Sequence, residues 1–251
     1  MKILEVGLHI LSFWVFVTSG LLYHRYEEIS RKTHGDLVLN TDVDPETGIR
    51  GIIRSWSQST VPYLLVGNIT SEQENIIREA MNEIQEVSCV RFVERDASNK
   101  NFVIISLYKS GCWSALGMLG GAQDLNLDPR GCMTKGAILH QLMHTQIKIF
   151  CTLGFSHPSS RSDRDFYVSV VSENINSHDL VHLDKASPGE YVDFGIPYDF
   201  DSIMHRSGWA FSANGKQTIK ALDANVDLGQ REKLSFKDIR QLNKMYQCVK
   251  N

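Results

Sequence analysis

The sequence predicts an α+β fold with two lobes. The N-terminal lobe is expected to combine a twisted mixed sheet with helices, and the less regular C-terminal lobe is expected to end in a helix. Three observations support this prediction. Strand-like apolar segments and a periodic helix occupy the first half of the chain, the periodic signals fade beyond His157, and a final amphipathic helix begins near Ser235.

Length and charge limit the classes of protein to consider. The chain has 251 residues, of which 42% are apolar and 22% charged, so it can bury one sizeable core, and nothing indicates a second full domain. The formal net charge of −3 provides no basic patch large enough to imply a nucleic-acid partner.

The first residues predict a secretory signal peptide over residues 1–20. Lys2 precedes an apolar run from Val6 to Val17, and small residues follow up to Gly20. The run of about 12 residues is short compared with the ~20 residues of a membrane-spanning helix. A membrane anchor is therefore the less favoured interpretation, and the protein is expected to be secreted.

The elements of the N-terminal lobe follow in order. Residues 21–50 are mostly polar, which suits an extended segment, and Val61–Val66 has the pattern of a first strand. Asn68 begins an N-glycosylation sequon, although sequons also arise by chance. Ser71 and Glu74 have the spacing of a capping box and predict a helix that runs to about residue 85.

Two further strands and a final helix complete the predicted elements. Phe102–Leu107 has the composition of a buried strand, whereas Gln123–Leu127 alternates polar and apolar residues and is predicted to be an edge strand. Ser235 and Asp238 are spaced as a second capping box at the start of the last helix.

Two histidines predict a metal site. His140 and His144 are four residues apart, so on a helix both imidazoles lie on one face and can reach one Zn²⁺. In the zinc-peptidase pattern H-E-x-x-H, a glutamate after the first histidine is the general base. Here that residue is Gln141, whose amide has no basic lone pair near neutral pH. By itself, a histidine pair is more often a surface or capping feature.

Several motifs in matching order strengthen the prediction. They are Cys112-Trp113-Ser114, Gly120-Gly121-Ala122-Gln123, the helix from Gly136 to His144, Leu153-Gly154-Phe155-Ser156-His157, the segment Ser160–Asp165, Tyr198-Asp199-Phe200-Asp201 and Ser202-Ile203-Met204-His205. From about Trp56 to Cys248 the chain resembles the astacin family of metzincin zinc metalloendopeptidases. The resemblance implies a two-lobed peptidase domain over residues 51–251, with a cleft that binds a peptide or protein.

The resemblance also implies a metal site and its cover. One zinc ion is expected on His140, His144 and His157, above a Met-turn at Met204. Residues 21–50 are expected to be a propeptide whose Asp36 coordinates the metal in place of water. Cleavage after Arg50 or Arg54 would remove it. A plain surface loop is the alternative for that segment.

The resemblance implies two disulfides, one between Cys89 and Cys248 and one between Cys112 and Cys132. Secretion makes such bonds permissible. Cys151 is then an odd thiol. We expect it to pack among apolar neighbours. On a continued helix it would lie ~10 Å along the axis from His144, too far to ligate the metal.

Four departures from the family pattern are visible. Gln141 occupies the position of the general base, and Arg206 occupies the position of a tyrosine that assists catalysis. Pro158 replaces the glutamate that helps receive the new amino terminus. His144 and His157 are thirteen positions apart instead of six. If the extra residues continued the helix, His157 would miss the metal. It reaches the metal only if they loop out.

These departures predict a secreted protein of astacin-type zinc-peptidase fold whose peptide-bond hydrolysis is lost or strongly reduced. The alternatives are a residually active zinc metalloendopeptidase and a non-catalytic peptide-binding protein. A further possibility is that residues 146–152 are not genuine coding sequence. The sequence leaves substrate and oligomeric state open.

Overall fold

A six-stranded mixed sheet lies in the N-terminal lobe of the computed structural model, which describes residues 36–38, 55–146, 157–186 and 193–249. The strands are β1 (Leu37–Val38), β2 (Thr60–Val66), β3 (Arg91–Glu94), β4 (Phe102–Ser106), β5 (Cys112–Ala115) and β6 (Ala122–Leu127). Their spatial order is β1-β5-β6-β4-β2-β3. Neighbouring strands are parallel except β5 and β6, which are antiparallel. The strands predicted at Val61–Val66 and Phe102–Leu107 are confirmed as β2 and β4.

The prediction that Gln123–Leu127 forms an edge strand is wrong. This strand, β6, pairs with β4 on one side and with β5 on the other. Two of its polar residues, Gln123 and Asn126, are buried and bonded to backbone: Gln123 Nε2 donates to the Gly117 carbonyl at 2.6 Å, and Asn126 Nδ2 donates to the Gly111 carbonyl at 2.6 Å. The alternation therefore reflects satisfied buried polar groups instead of a solvated face. Strand β5 lies between β6 and β1.

Two helices cover the sheet, α1 (Ser71–Val87) and α2 (Lys135–His144). The capping box of α1 lies one residue earlier than predicted. Gln73 N–H donates to Thr70 Oγ1 at 3.2 Å, and Thr70 N–H donates to Gln73 Oε1 at 2.9 Å. Thr70 is the extended residue before the first turn, so its side chain, and not that of Ser71, can reach the free amide groups. The buried side of α1 is the predicted one, with Ile77, Ala80, Met81 and Ile84.

The C-terminal lobe is mostly short 3-10 turns, as the fading periodicity predicts. Its described strands, β7 (Val168–Val170) and β8 (Ile219–Ala221), form an antiparallel pair. The chain ends in the predicted helix α3 (Phe236–Tyr246), with Ser235 as its N-cap. A small core of its own, which includes Tyr198 and Phe211, holds this lobe together.

Both expected disulfides are present, Cys89–Cys248 and Cys112–Cys132. The first joins the end of α1 to the end of α3 across 159 residues, and the second joins β5 to the loop before α2. Cross-links that close long loops restrict the unfolded chain, typically contributing about 2–4 kcal/mol each.

Some predictions concern residues outside the described part of the chain. They are the signal peptide over residues 1–20, most of the propeptide over residues 21–50, and Cys151. Within the described ranges, no helix has the length and apolar content that crossing a membrane would require.

Candidate metal centre

Helix α2 brings the first two histidines together. Its N-cap is Thr134, whose hydroxyl accepts a hydrogen bond from Ala137 N–H at 3.3 Å, and every residue from Gly136 to His144 is buried. Because a helix turns every 3.6 residues, His140 and His144 share one face. Their Nε2 atoms lie 3.1 Å apart.

The third predicted histidine reaches the same point. Helix α2 ends at His144, and Thr145 and Gln146 follow it as a turn, so the helix does not run directly into the extra residues. The His157 ring centroid lies 5.3 Å from that of His140 and 5.1 Å from that of His144. All three side chains are completely buried. The wider spacing between His144 and His157 is therefore compatible with one cluster.

Asp36 lies at the centre of this cluster. Its Oδ2 is 2.8 Å from His140 Nε2 and 3.2 Å from His144 Nε2, and its Oδ1 is 3.0 Å from His157 Nε2. Burial by itself raises the pKa of the Asp36 carboxyl group, but its contacts with the three histidines hold that pKa well below the ordinary value. Protonated rings thus favour the ionised carboxylate, which faces all three of them, and a cation among neutral rings would favour it in the same way.

Backbone carbonyls orient two of the rings. His140 Nδ1 lies 2.8 Å from the Ile203 carbonyl oxygen, and His157 Nδ1 lies 2.9 Å from the Met204 carbonyl oxygen. A carbonyl oxygen can only accept, so Nδ1 carries the hydrogen in both rings. In a neutral ring, Nε2 then presents its lone pair to the Asp36 carboxylate.

This geometry fits a divalent cation. Burial lowers the pKa of His157 well below its ordinary value, and the charge of Arg206 lowers it further, which keeps the ring neutral. Lone pairs then face carboxylate oxygens, an arrangement that a cation between them would stabilise. Asp36, His140, His144 and His157 offer ligand atoms within 4.8 Å of one another. Tetrahedral zinc ligands lie roughly 3.3 Å apart, and three imidazoles with one carboxylate are a donor set that suits zinc.

The predicted Met-turn lies directly below the cluster. Met204 is 1% exposed, and its carbonyl and that of Ile203 are the acceptors for the two rings. Such outer hydrogen bonds fix the ring orientation of metal-binding histidines.

A functional residue that the sequence reasoning missed holds this turn in place. Asp238 Oδ1 accepts from Ser202 Oγ at 2.6 Å, and Oδ2 accepts from Ile203 N–H at 2.8 Å and from Ser235 N–H at 3.0 Å. The capping box identified Asp238 as a partner of Ser235, but no local signal indicated that the same carboxylate also bonds the Met-turn.

Gln141 occupies the position after the first histidine and is completely buried. Its backbone carbonyl accepts a hydrogen bond from Ser114 Oγ of β5 at 3.1 Å. The His144 carbonyl similarly accepts from Gly117 N–H at 2.9 Å. The helix that carries the histidines is thus tied to the strand that borders the cleft.

Arg206 is 1% exposed and lies beside the cluster. Its Nη2 is 3.7 Å from Asp36 Oδ1, and its guanidinium carbon is 4.9 Å from the centroid of the Phe211 ring. The sequence indicated that Arg206 occupies the position of a family tyrosine that assists catalysis. The structure adds that this guanidinium pairs with the carboxylate at the centre of the cluster.

Two other positions from the sequence analysis, Pro158 and Asn68, contribute no ligand to the cluster. Pro158 begins a 3-10 turn, Pro158–Ser160, and has no carboxylate for a free amino terminus. Asn68 is exposed in the turn between β2 and α1.

Comparisons with known proteins find similarity to zinc metalloproteinases. A family model described as Astacin, a peptidase family, matches residues 48–247. The zinc metalloproteinases nas-14 and nas-4 of Caenorhabditis elegans are 38% and 37% identical over 77% and 80% of this chain. The chain spans 37% and 61% of the lengths of those two relatives.

A relative of more similar length is high choriolytic enzyme 1 of Oryzias latipes. It is 33% identical over 94% of this chain and 85% of its own length. Its solved structure, described as a hatching enzyme zinc-protease, superposes with a TM-score of 0.70 at 33% identity, covering 79% of this chain and 96% of that one.

Proposed function

The chain belongs to the astacin family of metallopeptidases, and on this premise we propose that it is a zinc-binding member in which peptide-bond hydrolysis is lost or strongly reduced. The observation that carries the proposal is the combination of three converged histidines with Gln141 at the general-base position. Four side chains that could hold a metal ion converge, whereas the position of the general base carries an amide that cannot accept a proton.

The residues that would hold zinc are His140, His144 and His157. Bound there, zinc would supply Lewis acidity that polarises a peptide carbonyl and acidifies water. Gln141 can orient a water molecule through its amide, but it cannot take a proton from it. Since general-base catalysis contributes ~10²–10⁴-fold, hydrolysis should be slower by about that factor.

Arg206 acts in the same direction. A tyrosine hydroxyl at this position would donate to the negative charge of a transition state and remain neutral. The guanidinium also donates, but it adds a positive charge beside a divalent cation. Two such charges repel, most strongly in a buried site.

We propose that Asp36 keeps the precursor closed. The segment 36–38 pairs with β5: Ser114 N–H donates to the Asp36 carbonyl at 3.0 Å, and Leu116 N–H donates to the Val38 carbonyl at 3.1 Å. Leu37 is completely buried in the core of the N-terminal lobe. Backbone pairing and Leu37 burial thus hold the Asp36 carboxylate where a substrate carbonyl would otherwise lie.

The same strand supports the alternative role as a peptide-binding protein. An extended peptide can add to a sheet edge through main-chain hydrogen bonds that tolerate varied sequences. With segment 36–38 displaced, β5 would offer that edge to a peptide or protein ligand. This role needs no general base.

The cellular setting is part of the proposal. Two disulfides and an exposed sequon at Asn68 are consistent with a secreted, glycosylated protein, as the predicted signal peptide over residues 1–20 implies. Cleavage after Arg50 or Arg54 would separate segment 21–50 from the domain over residues 51–251.

Zinc content and peptidase activity test the proposal together. The full chain would be expressed in a secretory host with Asp36→Ala, which removes the carboxylate from the cluster. Zinc is then measured by elemental analysis after dialysis against metal-free buffer, and about one zinc per chain is expected. A retained content near zero would contradict zinc binding.

Activity is compared on an unfolded protein substrate. In the Asp36→Ala background, the natural chain is compared with Gln141→Glu and with Gln141→Glu/Arg206→Tyr. We expect the double variant to be at least ~100-fold faster than the natural chain. Activity of the natural chain within ~100-fold of an active double variant would instead support a residually active peptidase. Inactivity of all three zinc-loaded proteins would contradict the assignment of the lost hydrolysis to Gln141 and Arg206.

A further inference from the structure

Arg206 marks a second recognition element in the site. Its side chain is 1% exposed, and its Nη2 lies 3.7 Å from Asp36 Oδ1. The same oxygen is 3.0 Å from His157 Nε2. One carboxylate oxygen thus lies between a metal-ligating ring and a buried guanidinium, while the other faces His140 and His144.

Two of the four departures from the family pattern change the charge of the metal cluster in the same direction. Gln141 in place of a glutamate removes one negative charge, and Arg206 in place of a tyrosine adds one positive charge. Among the described ion pairs, Arg206 pairs with the carboxylate of Asp36. When segment 36–38 leaves, the buried guanidinium and a bound metal would lose that carboxylate. Because a buried positive site favours groups of opposite charge, a carboxylate from another peptide would be stabilised in the same position.

We infer that the opened cleft selectively binds extended peptides that carry a carboxylate, with one oxygen toward the metal and the other toward Arg206. This inference rests on the proposed function. It goes beyond that function by naming the chemical class of the ligand, an acidic residue followed by an apolar one.

Segment 36–38 is the template for that class. Its main chain is bonded to Ser114 of β5 and to Leu116 just after this strand, so backbone hydrogen bonds set the register of a bound peptide. Its acidic side chain enters the cluster, and the next side chain, Leu37, is completely buried. A ligand with the same acidic and apolar order would reproduce these contacts without being part of the chain.

Binding is measured with four-residue probes on the full chain carrying Asp36→Ala and Leu37→Ala, which weaken the internal segment. The acidic probe is acetyl-Gly-Asp-Leu-Val-amide, and its neutral control has Asn in place of Asp. A third probe, acetyl-Gly-Ala-Leu-Val with a free carboxyl terminus, distinguishes a terminal carboxylate from a side-chain carboxylate.

The protein is loaded with Co²⁺, whose visible absorption reports ligand binding at the metal, and affinities are confirmed by calorimetry. We expect the acidic probe to bind at least ~10-fold more tightly than the neutral one. In Arg206→Met this preference should fall at least ~5-fold, and Arg206→Lys should retain part of it. An unchanged preference in a folded, metal-loaded Arg206→Met protein would overturn the inference. So would tighter binding of the terminal carboxylate than of the acidic side chain.

A measurement without metal keeps the inference testable if Arg206→Met does not fold. At pH 8 in metal-free buffer, Arg206 should still favour the acidic over the neutral probe by about threefold or more in calorimetry, and 0.5 M salt should reduce this preference. Equal metal-free affinities would assign any preference to the metal and overturn the role of Arg206. Failure to bind Co²⁺ at all would contradict the proposed function, while the metal-free comparison would still decide the role of Arg206.

Discussion

Replacing Asp238 with alanine is expected to destabilise the fold and loosen the metal site together. This carboxylate is 3% exposed and accepts from Ser202 Oγ, Ile203 N–H and Ser235 N–H at 2.6, 2.8 and 3.0 Å. The Ile203 carbonyl in turn orients His140. Asp238 is therefore a positioning residue that connects helix α3 to the histidine cluster.

The magnitude follows from the donors that alanine would leave behind. A buried donor without a partner costs about 1–3 kcal/mol. The Ser202 hydroxyl can rotate, and water can reach part of the vacated volume, so the three donors should together cost about 2–5 kcal/mol. Loss of support for the Ile203 carbonyl should weaken zinc binding by about tenfold, the lower end of the range known for outer hydrogen bonds of metal ligands.

The assay is urea unfolding of the zinc-loaded protein with a parallel competition titration for zinc. Asp238→Asn is the matched control, because one amide oxygen can still accept from both backbone donors while Ser202 Oγ accepts from the amide group. Asp238→Asn should lower the free energy of unfolding by about 1 kcal/mol or less. The reasoning is refuted if Asp238→Ala lowers the free energy of unfolding by less than ~1 kcal/mol, or if it destabilises without changing zinc affinity.

Three further predictions address other parts of the molecule. Burial raises the pKa of Asp238 to about 6 from 3.8, so the folded state keeps this proton to a higher pH than the unfolded state does. The resulting contribution to the free energy of unfolding is full below pH ~4 and is lost as the pH rises through ~6. In urea unfolding, the difference in stability between the natural chain and Asp238→Asn should therefore be about 1.4 kcal/mol larger at pH 5 than at pH 7.5. A Cβ at Gly136 would lie 1.8 Å from the Arg231 carbonyl oxygen; Gly136→Ala should thus cost at least ~2 kcal/mol by thermal unfolding despite the higher helix propensity of alanine, and a stabilised variant would contradict the tight packing. Asp36→Ala should speed zinc removal by a chelator at least ~10-fold, measured with a colorimetric zinc indicator, and an unchanged rate would mean that Asp36 does not shield the metal.

Local chemistry explains why parts of the fold and site were predictable. The spacing of His140 and His144 places them on one face of any helix, and the capping box at Ser235 uses contacts within one turn. Both features were confirmed, because each depends on neighbouring residues only. The prediction for the first helix missed by one residue, since Thr70 and Ser71 both carry hydroxyls and only the backbone angles distinguish them.

The family resemblance predicted contacts between residues that are far apart in the sequence. It implied both disulfides and the convergence of His157 and Asp36 on the helix, which spacing along the chain does not determine. Spacing in fact suggested a difficulty, because thirteen positions separate His144 from His157. The difficulty disappeared once helix α2 was found to end at His144.

By itself, the sequence determined the chemical character of this protein: a histidine pair of helical spacing, a glutamine where a base is needed, and an arginine near the Met-turn. Only the tertiary structure decided that β5 receives the added strand, that Arg206 faces the Asp36 carboxylate, and that Asp238 supports the Met-turn. The physical reason is the range of the interactions. Helix periodicity and capping are set within a few residues, whereas strand order and buried charge pairs depend on loops that bring remote segments together.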